Sequence, residues 1–109
     1  MAKITLGEFE HQVLLAILRL DGEAYSVPLV LELEERTGRE VSQAAVFIAL
    51  RRLENKGLLT SRIDDRALKN TGRVRRYFKP TSEAMRRLKD TRRALVRLWE
   101  GLEMRLDEA

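Results

Sequence analysis

A chain of 109 residues with 44% hydrophobic and 35% charged residues has enough apolar mass for one domain around one core, and too much to be a disordered tail. It contains no cysteine, which excludes disulfide frameworks and thiolate metal sites. The net charge is only +4, yet 15 Lys or Arg against 5 Asp or Glu fall between Arg51 and Arg93, a balance of +10, while the remainder carries −6. A basic middle between acidic ends is the footprint of a polyanion partner, although a salt-bridged helix surface would share this composition. Aromatic residues are 6%, so the core must be aliphatic. The longest apolar runs, such as "VLLAIL", are too short to cross a bilayer, and "MAKITLGEFE" lacks the apolar segment of a secretion signal. The expected location is the cytoplasm, with no membrane partner.

The first helix is predicted from Gly7 to Leu20. Phe9, Val13, Ile17 and Leu20 form one apolar stripe, widened by Leu14 and Leu18, and Asp21-Gly22 ends it. A second helix is predicted over Val27 to Thr37, with Ser26 as its cap, Pro28 in its first turn and Gly38 at its end. Val30, Leu31 and Leu33 are its expected apolar surface. A third helix is predicted from Gln43 to Lys56, capped by Ser42. Val46, Ala49, Leu50 and Leu53 should pack inward. Gln43, Phe47 and Arg51 recur every four residues on another side, with Ala44 and Ile48 beside them.

Gly57 breaks that helix. "LLTSRID" from Leu58 to Asp64 and "RVRRYFK" from Arg73 to Lys79 read as two strands of a hairpin, with a turn signal at Asn70-Thr71-Gly72. Pro80 stops the hairpin. Thr81 or Ser82 can cap a last helix that is predicted to run to about Leu106, roughly 25 residues or about 38 Å. Leu88, Leu95 and Leu102 are seven apart, Leu98 falls between them, and the resulting seam is the expected dimerisation surface.

Three helices, a hairpin and a long helix make the expected fold mostly α with a small β-hairpin wing. It is a winged helix-turn-helix domain over 1–80, followed by a C-terminal dimerisation helix over 81–109. The third helix would be the reading helix. The segments "LGEFEHQVLLAILRL", "AYSVPLVLELEERTGREVS", "ALRRLENKGLL" and "GRVRRYFKPTSEAMRRL" follow one another along the chain. Through them the chain resembles the PadR family of bacterial transcriptional regulators. The family pattern at the end of the reading helix stands here as Leu50, Arg52, Leu53, Glu54, Gly57 and Leu58. The wing pattern stands as Gly72, Arg73, Tyr77, Phe78 and Thr81. Three positions depart from the pattern: Phe47 replaces a tyrosine, Ser26 a glycine after Tyr25, and Ala84 a glycine. The resemblance implies a homodimeric regulator, a repressor on a palindromic operator. The alternative is a winged-helix module that binds protein or RNA; the local +10 balance favours duplex DNA.

For DNA, the expected contacts are the helix start at Ser42, Gln43 and Ala44, then Phe47 and Arg51 on the same face, and Lys69, Arg73 and Arg75 on the wing. Strand alternation puts Arg73 and Arg75 on one side and Val74 and Arg76 on the other. Arg52 lies nearer the core edge and is expected to form a structural salt bridge, to Glu54 or to another acid. His11, the one histidine, is expected at the surface. Asp64 and Asp65 are expected to be solvated. No catalytic motif and no metal-ligand set is visible, so no enzyme activity and no cofactor are expected. Trp99 is first a packing residue at a helix–helix seam. In some members of the resembled family a tryptophan on the last helix lines a drug-binding space between subunits, which implies a second role for Trp99 toward a small hydrophobic or aromatic effector.

Overall fold

A computed structural model of the chain describes residues 6–66, 74–102 and 104–105. Helix α1 spans Glu8–Arg19. Its start is fixed by Glu10, whose carboxylate reaches back to accept the Gly7 amide at 2.9 Å. Val13, Leu14, Ala16 and Ile17 are buried. At its end Asp21 and Gly22 both have positive φ, and the Gly22 amide bonds to the Ile17 carbonyl at 3.0 Å.

Helix α2, Ser26–Thr37, starts one residue earlier than predicted. Tyr25 occupies the cap position without a side-chain bond, so Ser26 is the first helical residue and not the cap. Leu29 and Leu33 are its buried residues, while Leu31 faces outward. Gly38 closes it in the left-handed conformation. Helix α3, Gln43–Asn55, is capped as predicted: Ser42 Oγ accepts the Ala45 amide at 3.0 Å. Val46, Ala49, Leu50 and Leu53 are all buried on its inner side.

Strands β1, Leu59–Asp64, and β2, Arg75–Pro80, pair antiparallel, with Leu59 opposite Pro80 and Asp64 opposite Arg75. Leu59 and Phe78 turn into the core. A further bridge was not legible in the sequence. Ala24, before α2, exchanges two backbone bonds with Phe78 at 2.8 and 3.1 Å, so the wing is pinned to the start of the helix-turn-helix. The Asn70-Thr71-Gly72 turn, Lys69 and Arg73 lie outside the described residues.

Helix α4, Ser82–Trp99, is capped by Thr81, whose hydroxyl accepts the Ala84 amide at 3.2 Å and donates to the Gly57 carbonyl at 2.9 Å. It is shorter than predicted. Gly101 takes φ +80 immediately after it, a conformation that favours glycine and ends the helix before Leu102. Leu88 does not join an outward seam: it is 6% exposed and packs in the chain's own core with Ala84. Leu95, Leu98, Trp99 and Leu102 stay exposed and line a shallow groove of about 140 Å³.

One ion pair ties the ends of α1 and α3 together. Lys56 Nζ lies 2.7 Å from Glu10 Oε1. Burial pushes the Glu10 carboxyl up, but the Lys56 hydrogen bond, the Gly7 amide and the charges of Lys56 and Arg52 outweigh it, and the carboxyl is held below its ordinary 4.5. The pair therefore stabilises the fold above pH 4.5 and is lost as pH falls through the folded value. His11 is half-buried, not fully at the surface, and its burial lowers its pKa, so stability also declines below its ordinary 6.5. Acid titration of the melting temperature should show both declines. Glu10→Gln should lower stability at neutral pH by about 1–3 kcal/mol and flatten the lower decline. An unchanged acid limb in Glu10→Gln would count against this assignment.

Candidate nucleic-acid interface

The surface that gathers the predicted site residues is made by the starts of α2 and α3 and the base of the wing. Ser42, Gln43, Ala44, Phe47 and Arg51 are all exposed on one side of α3, with Ile48 and Arg52 beside them. The four-residue spacing sets this: the same helix turns its buried aliphatic residues the opposite way. The helix start also presents its first amides and the positive end of the helix dipole.

Gln43 is not a free amide. Its Nε2 donates to Ser26 Oγ at 3.2 Å, so the hydroxyl expected to cap α2 instead fixes the side chain at the start of α3. Arg52 differs from expectation as well. It is exposed and has no acid at ion-pair distance among the described residues. Glu54, its expected partner, instead accepts a bond from Ser61 Oγ.

On the wing, Arg62 and Tyr77 sit opposite each other across the hairpin, and strand alternation puts Arg75 on their face. Arg75 places its guanidinium 4.7 Å from the centre of the Tyr25 ring, Tyr25 meets Tyr77 edge-on at 5.3 Å, and Arg62 lies 4.8 Å from the Tyr77 ring. Arg62 then grips Glu23 through two bonds, at 2.9 and 2.8 Å. This ladder fastens the wing to the segment before α2. Asp64 is not merely solvated: Arg66 and Arg62 stand at 2.8 and 3.9 Å, and the hydrogen bonds from Arg66 hold its carboxyl well below the usual carboxylate range. Arg62 and Arg66 are thus neutralised locally, whereas Arg75 and Arg76 have no acid partner among the described residues.

Arg76 is a wing arginine outside the set of contacts expected from the sequence. It shares a strand face with Phe78, so it turns toward α3. Its Nη1 donates to Ser61 Oγ at 3.0 Å, and Ser61 in turn donates to Glu54 at 2.5 Å. The relay runs from β2 through β1 to α3 and fixes a guanidinium near Gln43 and Phe47. These three residues, with Tyr25, Val27 and Val74, line a groove of about 520 Å³ between the helix-turn-helix and the wing. The period-two alternation from Phe78 was the available signal.

A three-helix unit whose third helix turns an exposed face outward beside a two-stranded hairpin is a winged helix-turn-helix domain. Residues 14–90 match the transcriptional regulator PadR-like family, and the chain belongs to that family. Among solved structures, a PadR family transcriptional regulator from Eggerthella lenta is 28% identical, with a TM-score of 0.69 over 89% of this chain and 82% of that one. A PadR family transcription regulator from Clostridium difficile shares the fold at 19% identity, with a TM-score of 0.71 over 88% of this chain and 97% of that one. Bacillus subtilis PadR, solved in complex with operator DNA, shares it at 17% identity and a TM-score of 0.59, over 72% of this chain and 44% of that one. No curated protein is a significant match. Among the described residues no helix is long and apolar enough to cross a membrane.

Proposed function

We propose that this regulator is a cytoplasmic repressor that binds a palindromic operator in duplex DNA as a homodimer. The observation that carries the reading is the exposed face of α3 from Gln43 to Arg51, set beside two wing arginines that have no acid partner among the described residues. Cations at the edges meet phosphates, and the side chains between them meet base edges. Family membership supports the same reading, as does the operator DNA held by the Bacillus subtilis relative. The exposed strip of Leu95, Leu98 and Leu102 on and beyond α4 supports the dimer, and a two-fold dimer presents two α3 helices to a symmetric site. Trp99 borders that strip, where a small hydrophobic or aromatic effector would be sensed.

Salt titration of duplex binding tests the reading. Affinity should fall roughly a hundred- to a thousandfold between about 50 and 200 mM salt, because neutralised phosphates release counterions. Arg51→Ala and Arg75→Ala should weaken binding to all duplexes and make the slope shallower, while Gln43→Ala should alter sequence preference. Duplex binding indifferent to salt would sink the proposal.

A further inference from the structure

We infer that α3 reads thymine through its C5-methyl group, with Phe47 and Ile48 as the specificity-determining residues. The inference rests on the reading above, in which α3 enters the major groove. Phe47 is 46% exposed and Ile48 52%, two large apolar side chains that the core leaves uncovered in the middle of the outward face. Ala44 continues the strip toward the helix start. None of these three side chains carries a hydrogen-bond donor or acceptor.

A base-pair edge in the major groove offers donors, acceptors and one apolar group, the thymine methyl. An apolar strip laid against donors and acceptors would strip their water and return no bond, which is unfavourable. Laid against thymine methyls, the strip removes apolar surface from water on both partners. Gln43 does not offset this preference. Its amide nitrogen is bonded to Ser26 Oγ, so a two-bond grip on adenine would have to share or break that contact.

The charge around the strip fixes the occupant as DNA. Arg51 and Arg52 stand at its C-terminal end, and Arg75 and Arg76 line the groove beside it, all exposed. Cations on both flanks and apolar atoms between them complement an edge of methyl groups held between two phosphate backbones.

The test begins with selection, by the full chain, from a pool of duplexes with a randomised centre. Each thymine of the selected duplex is then replaced by deoxyuridine, which deletes only the methyl group. Affinity is expected to fall about fourfold for each methyl contacted, at equivalent positions in the two half-sites. In Phe47→Ala and Ile48→Ala the ratio between thymine and deoxyuridine duplexes should shrink toward one. Both side chains are exposed, so these variants should keep the native melting temperature. Arg51→Ala should weaken both duplexes equally and keep the ratio. If every deoxyuridine duplex binds like its parent, or if both apolar variants retain the full ratio, the methyl reading is overturned while duplex recognition stands. A pool that yields no enriched sequence overturns both.

Discussion

A chain carrying Leu98→Asp is expected to sediment as a monomer at micromolar concentration, where the native chain is expected to sediment as a dimer. Leu98 is 70% exposed on α4, so the substitution removes almost nothing from the chain's own core. Its cost falls on assembly alone. Full burial of one leucine contributes about 1.5–3 kcal/mol, and a two-fold interface contains the residue twice. Two carboxylates facing the partner strip add desolvation and repulsion. The dimer constant should therefore weaken at least a hundredfold. Operator affinity should fall with it, because a single half-site loses the gain from tethering the second. Leu95→Ala should act in the same direction and less strongly. Leu88→Ala is the control: its side chain belongs to the core, so it should lower the melting temperature of the chain itself. A Leu98→Asp chain that remains dimeric would move the interface away from this strip.

The three helices were legible in the sequence because each carries a local period and a local stop. The inner and outer faces of α3 follow from the spacing of Val46, Leu50 and Leu53 against Gln43, Phe47 and Arg51. Ser42 was identifiable as a cap because the helix pattern begins directly after it. The features that differ from the sequence expectation are of two kinds. In the first, two local signals compete: the leucine heptad favours a helix to Leu106, while Gly101 stops it. Leu88 fits the same heptad, yet it lies one turn after Ala84, where the helix still touches the core. In the second kind, the pairing is distant in sequence and has no period to read. The Ala24–Phe78 bridge, the Arg62–Glu23 pair and the Arg76–Ser61–Glu54 relay join residues from different elements, and only the folded chain brings them together. The wing arginines show the consequence. Their charges were countable from the sequence, but Arg62 faces Glu23 only through a distant pairing, Arg66 meets Asp64 two residues away, and Arg75 and Arg76 meet no acid among the described residues.

Phe78→Ala is expected to be among the most destabilising single changes in the chain, and to disturb DNA binding more than its burial alone suggests. Phe78 is 1% exposed, among the largest fully buried side chains, on a strand that otherwise carries exposed and half-buried residues. Truncating a buried phenylalanine typically costs about 3–5 kcal/mol. Because Phe78 also borders the groove beside α3, water can enter part of the cavity, which places the expected loss nearer about 3 kcal/mol. A domain of this size is stable by only about 5–15 kcal/mol, so the melting temperature should fall by roughly 10–20 °C. The denaturation midpoint should fall with little change in slope, since the surface exposed on unfolding is nearly the same. The functional effect arises from position. The Phe78 backbone is bonded to Ala24, and Arg76 on the same strand face is held by Ser61, so loosening the side chain weakens two of the wing's anchors and leaves the Arg62–Glu23 ladder. Duplex affinity measured well below the melting temperature should therefore fall. Phe78→Leu keeps most of the volume and should cost less than about 1.5 kcal/mol, with most of the affinity retained. A Phe78→Ala chain that melts ten degrees lower yet binds duplex like the native chain would show that the wing holds its place without this contact.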